Sequence, residues 1–119
     1  MSVINIAHKF SLFSDTWSPR IVGELNGQQV KLARLEGEFE WHSHDNEDEL
    51  FLVITGRLEI HLRDGMVEIN QGELYIVPRR VEHKPVAVEG TEVLLFEPAT
   101  TLHTGNLKSE RTVDSPEWI

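Results

Sequence analysis

Three imidazoles and a carboxylate, His42, His44, Glu49 and His83, are the side chains whose types and spacing suit a divalent transition metal. His42 and His44 are two residues apart, so on a strand both rings fall on one face and reach the same space. Glu49 stands at the head of an apolar run and shares a strand face with Phe51 and Val53. If those two point into a core, so does Glu49, and an inward carboxylate needs a cation or a hydrogen-bond donor to offset its desolvation. His83 lies far along the chain and joins the others only if the strands close into a barrel. Such a set accepts Fe, Mn, Ni, Cu, Co or Zn and can leave positions open for water or substrate. The His-x-His pair alone reads better as exposed histidines in a polar loop with Asp45, Asn46, Glu47 and Asp48.

The elements that must position these groups are short and extended. From about residue 28 to 98, runs of Val, Ile, Leu and aromatic residues alternate with Gly, Asp-Gly and Pro, and no window carries a sustained period of 3.6. The chain is therefore expected to be all-β with little helix. Strands are expected over 29–35, 38–44, 50–55, 57–63, 66–69, 74–77 and 93–96, with 83–88 a further strand weakened by Pro85. Asp64-Gly65 supplies a two-residue hairpin turn, since Gly accepts the positive φ such turns require. In the run 57–63, Leu58, Ile60 and Leu62 alternate with Glu59, His61 and Arg63, as on a strand with one wet face. Leu50 to Ile54 is apolar throughout, so both its faces should be covered, the outer one by a second sheet, a terminal segment or another copy of the chain. A homodimer is the corresponding expectation.

One domain is expected over 1–119, with a barrel core at about 28–98 and terminal segments 1–27 and 99–119 that carry Phe10, Phe13, Trp17 and Trp118. No repeat or linker divides it. There is no cysteine, which removes disulfides, thiolate metal sites and cysteine nucleophiles, and the N-terminus lacks the continuous apolar core of a signal peptide. A cytoplasmic location is expected. No run is long enough to span a membrane. With 11 Lys and Arg against 20 Asp and Glu, the net charge of −9 repels phosphates and anionic headgroups, so no nucleic acid or membrane partner is expected. Phosphate-binding glycine loops and nucleophile-elbow serines are absent from the sequence.

The spacing of the candidate ligands resembles that of the cupins. Their first motif runs Gly, a spacer, His-x-His, three or four residues, Glu, six residues, Gly, and here Gly37, His42, His44, Glu49 and Gly56 follow that order. In the second motif Gly72, Pro78 and His83 fall in register, while Arg80 stands where Gly is usual and Ala87 where Asn is usual. The resemblance spans about 28–98. It implies a double-stranded β-helix, or jelly-roll, barrel with the metal inside it, held by His42, His44, Glu49 and His83.

Function is expected to be metal-dependent catalysis on a small organic substrate, by analogy either dioxygenase chemistry or sugar isomerisation. The alternative is a module that binds or senses a sugar or organic acid in a metal-organised pocket, since fold does not dictate function. An enzyme should show an opening to the metal with a further polar group facing it. No catalytic residue is assigned. His61 is read as a solvent-facing residue on a wet strand face and Tyr75 as core. Arg79 and Arg80 are read as a solvated pair that could meet an anionic substrate at the barrel mouth. His8 and His103 have no partner at ligand spacing.

Overall fold

The computed structural model describes residues 2–102, 105 and 116–119. Among these, the chain forms α1 (Ile6–Phe10), β1 (Arg20–Leu25), β2 (Gln28–Glu38), β3 (Glu49–Thr55), β4 (Arg57–Leu62), β5 (Gly65–Asn70), β6 (Leu74–Val77), β7 (His83–Pro98) and β8 (Glu117–Trp118). The all-β expectation and the Asp64-Gly65 hairpin, which becomes β4–β5, both hold. No helix of the described residues is long and apolar enough to cross a membrane.

The strands wrap as a jelly roll around β7. This strand pairs with β2 along most of its length on one side, and on the other with β4 at its start and β3 at its end. The two strands expected over 83–88 and 93–96 are therefore one, turning through Gly90 at φ +81°. Pro85 sits within it, opposite Ile60, and its carbonyl accepts from the Phe39 amide at 2.9 Å. Phe51, Val53, Leu58, Ile60, Val77, Val93 and Leu95 fill the interior. Burial of these aliphatic and aromatic side chains is the main stabilising term.

Two expectations need correction. The strand expected over 38–44 ends at Glu38, and His42 continues only as an isolated bridge to His83, with His42 N–H to His83 O at 3.0 Å and the reciprocal bond at 2.9 Å. The polar stretch beyond it has no apolar alternation with which to build a ladder. The terminal segment 1–27, for which no strand was expected, contains β1, a hairpin partner of β2. Its turn is Asn26-Gly27, with φ of +52° and +77°, values that favour this dipeptide over others.

Leu50 to Ile54 is covered as expected on the inside, where Phe51 and Val53 are buried. On the outside, Ile54 and Leu94 pack on a second cluster built from Phe10, Phe13, Val22 and Leu32. Arg34 ties down that N-terminal cover by donating to the carbonyls of Phe13 at 2.9 Å and Phe10 at 2.6 Å while pairing with Glu92 at 2.9 Å. Leu50 and Leu52 are only half-buried, and their β6 neighbours Ile76 and Leu74 are 51% and 56% exposed.

Candidate metal centre

The barrel brings together all four side chains singled out in the sequence. His42, His44, Glu49 and His83 are each buried, and one nitrogen or oxygen from each lies within 4.8 Å of the others. Glu49 opens β3 with its carboxylate on the inner face shared by Phe51 and Val53, and His83 opens β7. The bridge between His42 and His83 replaces the regular strand in presenting the first imidazole. A turn at Arg80 then presents the second histidine of the pair, the Arg80 amide donating to the His44 carbonyl at 2.7 Å. Arg80 takes φ +68°, the left-handed conformation that glycine adopts most readily, so the turn survives the replacement of glycine.

Backbone carbonyls fix two of the rings. His42 Nδ1 is 2.8 Å from Glu40 O, and His83 Nδ1 is 2.9 Å from Val81 O. A carbonyl only accepts, so each Nδ1 carries the proton and each Nε2 keeps its lone pair free for a cation. His83 Nε2, both ring nitrogens of His44 and Glu49 Oε1 are buried without a hydrogen-bond partner. Glu49 Oε1 lies 3.2 Å from His44 Nε2 and 3.6 Å from His83 Nε2, in ion-pair range without hydrogen-bond alignment. Buried polar atoms left this way are costly, and a cation among them would satisfy every one that faces the centre. The donor set of nitrogen and carboxylate oxygen suits a divalent transition metal.

The electrostatics favour the ligating forms of His42 and Glu49. Burial, reinforced by His83, lowers the His42 pKa to about 4, so its ring is neutral at neutral pH. Burial also acts to lower His44, but the Glu49 carboxylate beside it prevails and the net shift is upward. For Glu49, burial acts upward and is outweighed by the polar side chains of His44, His83 and Glu97 around it, which hold the carboxylate well below its usual range.

Two charged residues passed over in the sequence lie next to this centre. Carrying the β3–β7 register one step past Leu50 and Phe96 sets Glu97 opposite Glu49. Lys31, on the inner face of β2, reaches Glu97 Oε1 at 2.9 Å, with the two side chains 2% and 0% exposed. Burial, and then the Glu49 charge, raise the Glu97 pKa well above its usual value, with Lys31 acting in the opposite sense. The sequence signal for both is phase: each is a charged residue in step with apolar neighbours on a core face, Lys31 with Ala33 and Leu35, Glu97 with Leu95 and Val93.

The residues set aside lie apart from the centre. His61 pairs with Glu59 at 2.9 Å, Tyr75 packs on the core, and His8 is exposed. His103 lies outside the described residues. Arg79 is held on the exposed rim by Asp48, its backbone amide at 2.8 Å and its side chain at 3.3 Å from the carboxylate. One pocket reaches His42 and Glu49 and is otherwise lined by apolar residues, while a second, on the His44 side, is lined by Asp45, Asn46, Glu47 and Thr100, so polar groups do line an opening at the centre.

A jelly-roll barrel with three imidazoles and a carboxylate converging inside it defines a class of small β-barrels with a buried donor set that could hold a metal ion. Residues 28–106 match the Cupin domain family model, and the chain belongs to that family. It is similar to a cupin-2 domain containing protein from Shewanella frigidimarina, with 48% identity and a TM-score of 0.79 over 81% of this chain and 94% of that one. The protein NMB1881 from Neisseria meningitidis superposes with a TM-score of 0.75 at 28% identity, covering 82% of this chain and all of that one. A third relative, YdbB of Bacillus subtilis, is 33% identical over 64 residues, 53% of this chain, and the match spans 57% of that protein's length.

Proposed function

We propose that this protein is a metal-dependent enzyme acting on a small organic substrate, with one divalent transition metal held by His42, His44, Glu49 and His83. The observation that carries this reading is the buried convergence of the four donor groups beside a pocket. An ion there would supply Lewis-acid or redox activation of an oxygen-bearing substrate or of O₂. The chain's own contribution is to hold His42 and His83 by backbone carbonyls, to keep water out with apolar walls, and to leave Glu49 ionised.

Of the two chemistries, dioxygenation is better supported than sugar isomerisation. Moving a proton between adjacent carbons requires a base within reach of the substrate, and in the apolar pocket His42 and Glu49 are the titratable lining groups, Asp45 and Glu47 lining the separate opening at His44. His42 and Glu49 are both committed to the metal. The same feature favours a second reading, a module that captures a small molecule without transforming it. Oxygen uptake by metal-reconstituted protein against a panel of small substrates separates the two: substrate-dependent consumption supports the enzyme, and binding without consumption supports the module.

We also infer a homodimer formed through the outer face of β6 and β3, on the strength of exposed Leu74 and Ile76 beside half-buried Leu50 and Leu52. The cysteine-free sequence is the basis for a cytoplasmic location. The acidic surface argues against nucleic acid or anionic membrane as a partner.

A further inference from the structure

The ion pair enclosed in the barrel stands beside the candidate ligands without being one of them. Lys31 Nζ meets Glu97 Oε1 at 2.9 Å, and the two side chains are 2% and 0% exposed. The same amine lies 3.4 Å from the Thr101 carbonyl. Thr101 is itself buried and its amide donates to Pro98 O at 3.0 Å, so the turn after β7 closes over the Lys31 amine. Enclosing two charges is costly, and apolar residues of similar volume usually serve a fold as well or better. Stability alone therefore does not account for the pair.

Its position relative to Glu49 does. Glu97 falls opposite Glu49 when the β3–β7 register is carried one step past Leu50 and Phe96. Residues opposite one another on antiparallel strands share a face, with their Cβ atoms about 5 Å apart. Lys31 approaches from the other side, because β2 pairs along the opposite edge of β7. Glu97 thus stands between Lys31 and Glu49, and apart from burial each carboxyl acts on the other.

The ligands differ in how they are aimed. His42 and His83 each have a backbone carbonyl on Nδ1. Glu49 Oε1 lies 3.2 Å from His44 Nε2 and has no hydrogen-bond partner among the described residues. Ligating carboxylates ordinarily depend on an outer partner for their orientation. Two carboxyls side by side in a closed interior repel unless a cation draws one of them away. Lys31 holds the Glu97 group on its own side, which leaves Glu49 turned toward the imidazoles. We propose that Lys31 and Glu97 are positioning residues of the metal centre: Glu97, fixed by Lys31, holds the Glu49 carboxylate toward His42, His44 and His83. This deepens the metal-centre reading and rests on it.

The test measures zinc affinity of the full chain and its variants by competition with a chromophoric chelator. Lys31→Met combined with Glu97→Leu replaces the pair by apolar groups, which should keep the fold, yet should weaken zinc binding about 10- to 100-fold. Glu97→Gln keeps a side chain that can accept from Lys31 and donate to Glu49, and should retain most of the affinity. A merely structural pair would change the urea midpoint of the metal-free chain and leave the zinc affinity of the folded chain unmoved. A folded double variant that binds zinc as tightly as the unaltered chain would overturn the proposal, as would Glu97→Gln binding as weakly as the double variant. Should the double variant fail to fold, Glu97→Asp, which keeps the charge and withdraws the carboxyl by one methylene, should show the loss, and unchanged affinity there would overturn the proposal equally. If the unaltered chain binds no zinc, the metal-centre reading fails and this proposal falls with it, whereas tight zinc binding by every variant removes the positioning role alone.

Discussion

His42 and His83 are aimed by the chain itself, through Nδ1 bonds to Glu40 O and Val81 O, whereas among the described residues neither ring nitrogen of His44 nor Glu49 Oε1 has a hydrogen-bond partner. The unpartnered atoms of His44, Glu49 and His83 give the cation its role in satisfying the interior. Replacing His42 and His44 together with alanine should abolish metal binding while leaving a folded, less stable barrel. Elemental analysis and circular dichroism of the double variant check this, and retained stoichiometric metal would refute the ligand assignment. The Lys31–Glu97 pair has a different consequence, because it is fully enclosed. Lys31→Met leaves the buried Glu97 carboxyl without its partner and should cost about 3–5 kcal/mol. Adding Glu97→Leu should recover most of that loss, since replacing a whole buried pair with apolar groups is often close to neutral. Urea unfolding of the two variants measures both effects. The four candidate ligands were legible in the sequence because ligand types at fixed spacing are a local signal. Lys31 was not, because its significance depends on β7 pairing alongside β2 and bringing Glu97 next to it.

At the scale of the elements, turns were more legible than ladders. Asp64-Gly65 announces its hairpin, and Asn26-Gly27 is an equally strong turn signal, but the apolar alternation before it is too short to mark a strand. The expected strand over 38–44 failed for the opposite reason. Alternating side chains suggested a ladder, but after Glu38 the backbone makes only separate bonds, to Pro85, His83 and Arg80, and no continuous ladder. That local break still delivers both histidines to the centre. Gly56, between β3 and β4, has φ +90°, and a Cβ placed there would lie 2.6 Å from Thr91 Oγ1 and 2.8 Å from Thr91 Cα. The glycine at this point of the motif is thus required by backbone conformation and by the close approach of β7. Gly56→Ala should destabilise the barrel by roughly 2 kcal/mol or more, measured by the shift in the urea midpoint, whereas a neutral result would show that the β3–β4 turn can relax away from Thr91.

For the whole molecule, the outer face of the sheet and the acidic surface act in opposite senses. A net charge of −9 disfavours close approach of two copies, while exposed Leu74 and Ile76 favour burial against an apolar partner. The sequence hinted at this face through the uninterrupted apolar run of β3, but could not show that α1 and its neighbours cover only the Ile54 end. Sedimentation should find a dimer at micromolar concentration, converted to monomer by Ile76→Glu without loss of fold. A native monomer would contradict the assignment of this face. The central claim is that the barrel holds a metal through His42, His44, Glu49 and His83, and the most direct measurement is elemental analysis of untagged protein purified without chelator. Near-stoichiometric iron, manganese, nickel, copper, cobalt or zinc is predicted, and absence of metal even after reconstitution would contradict it.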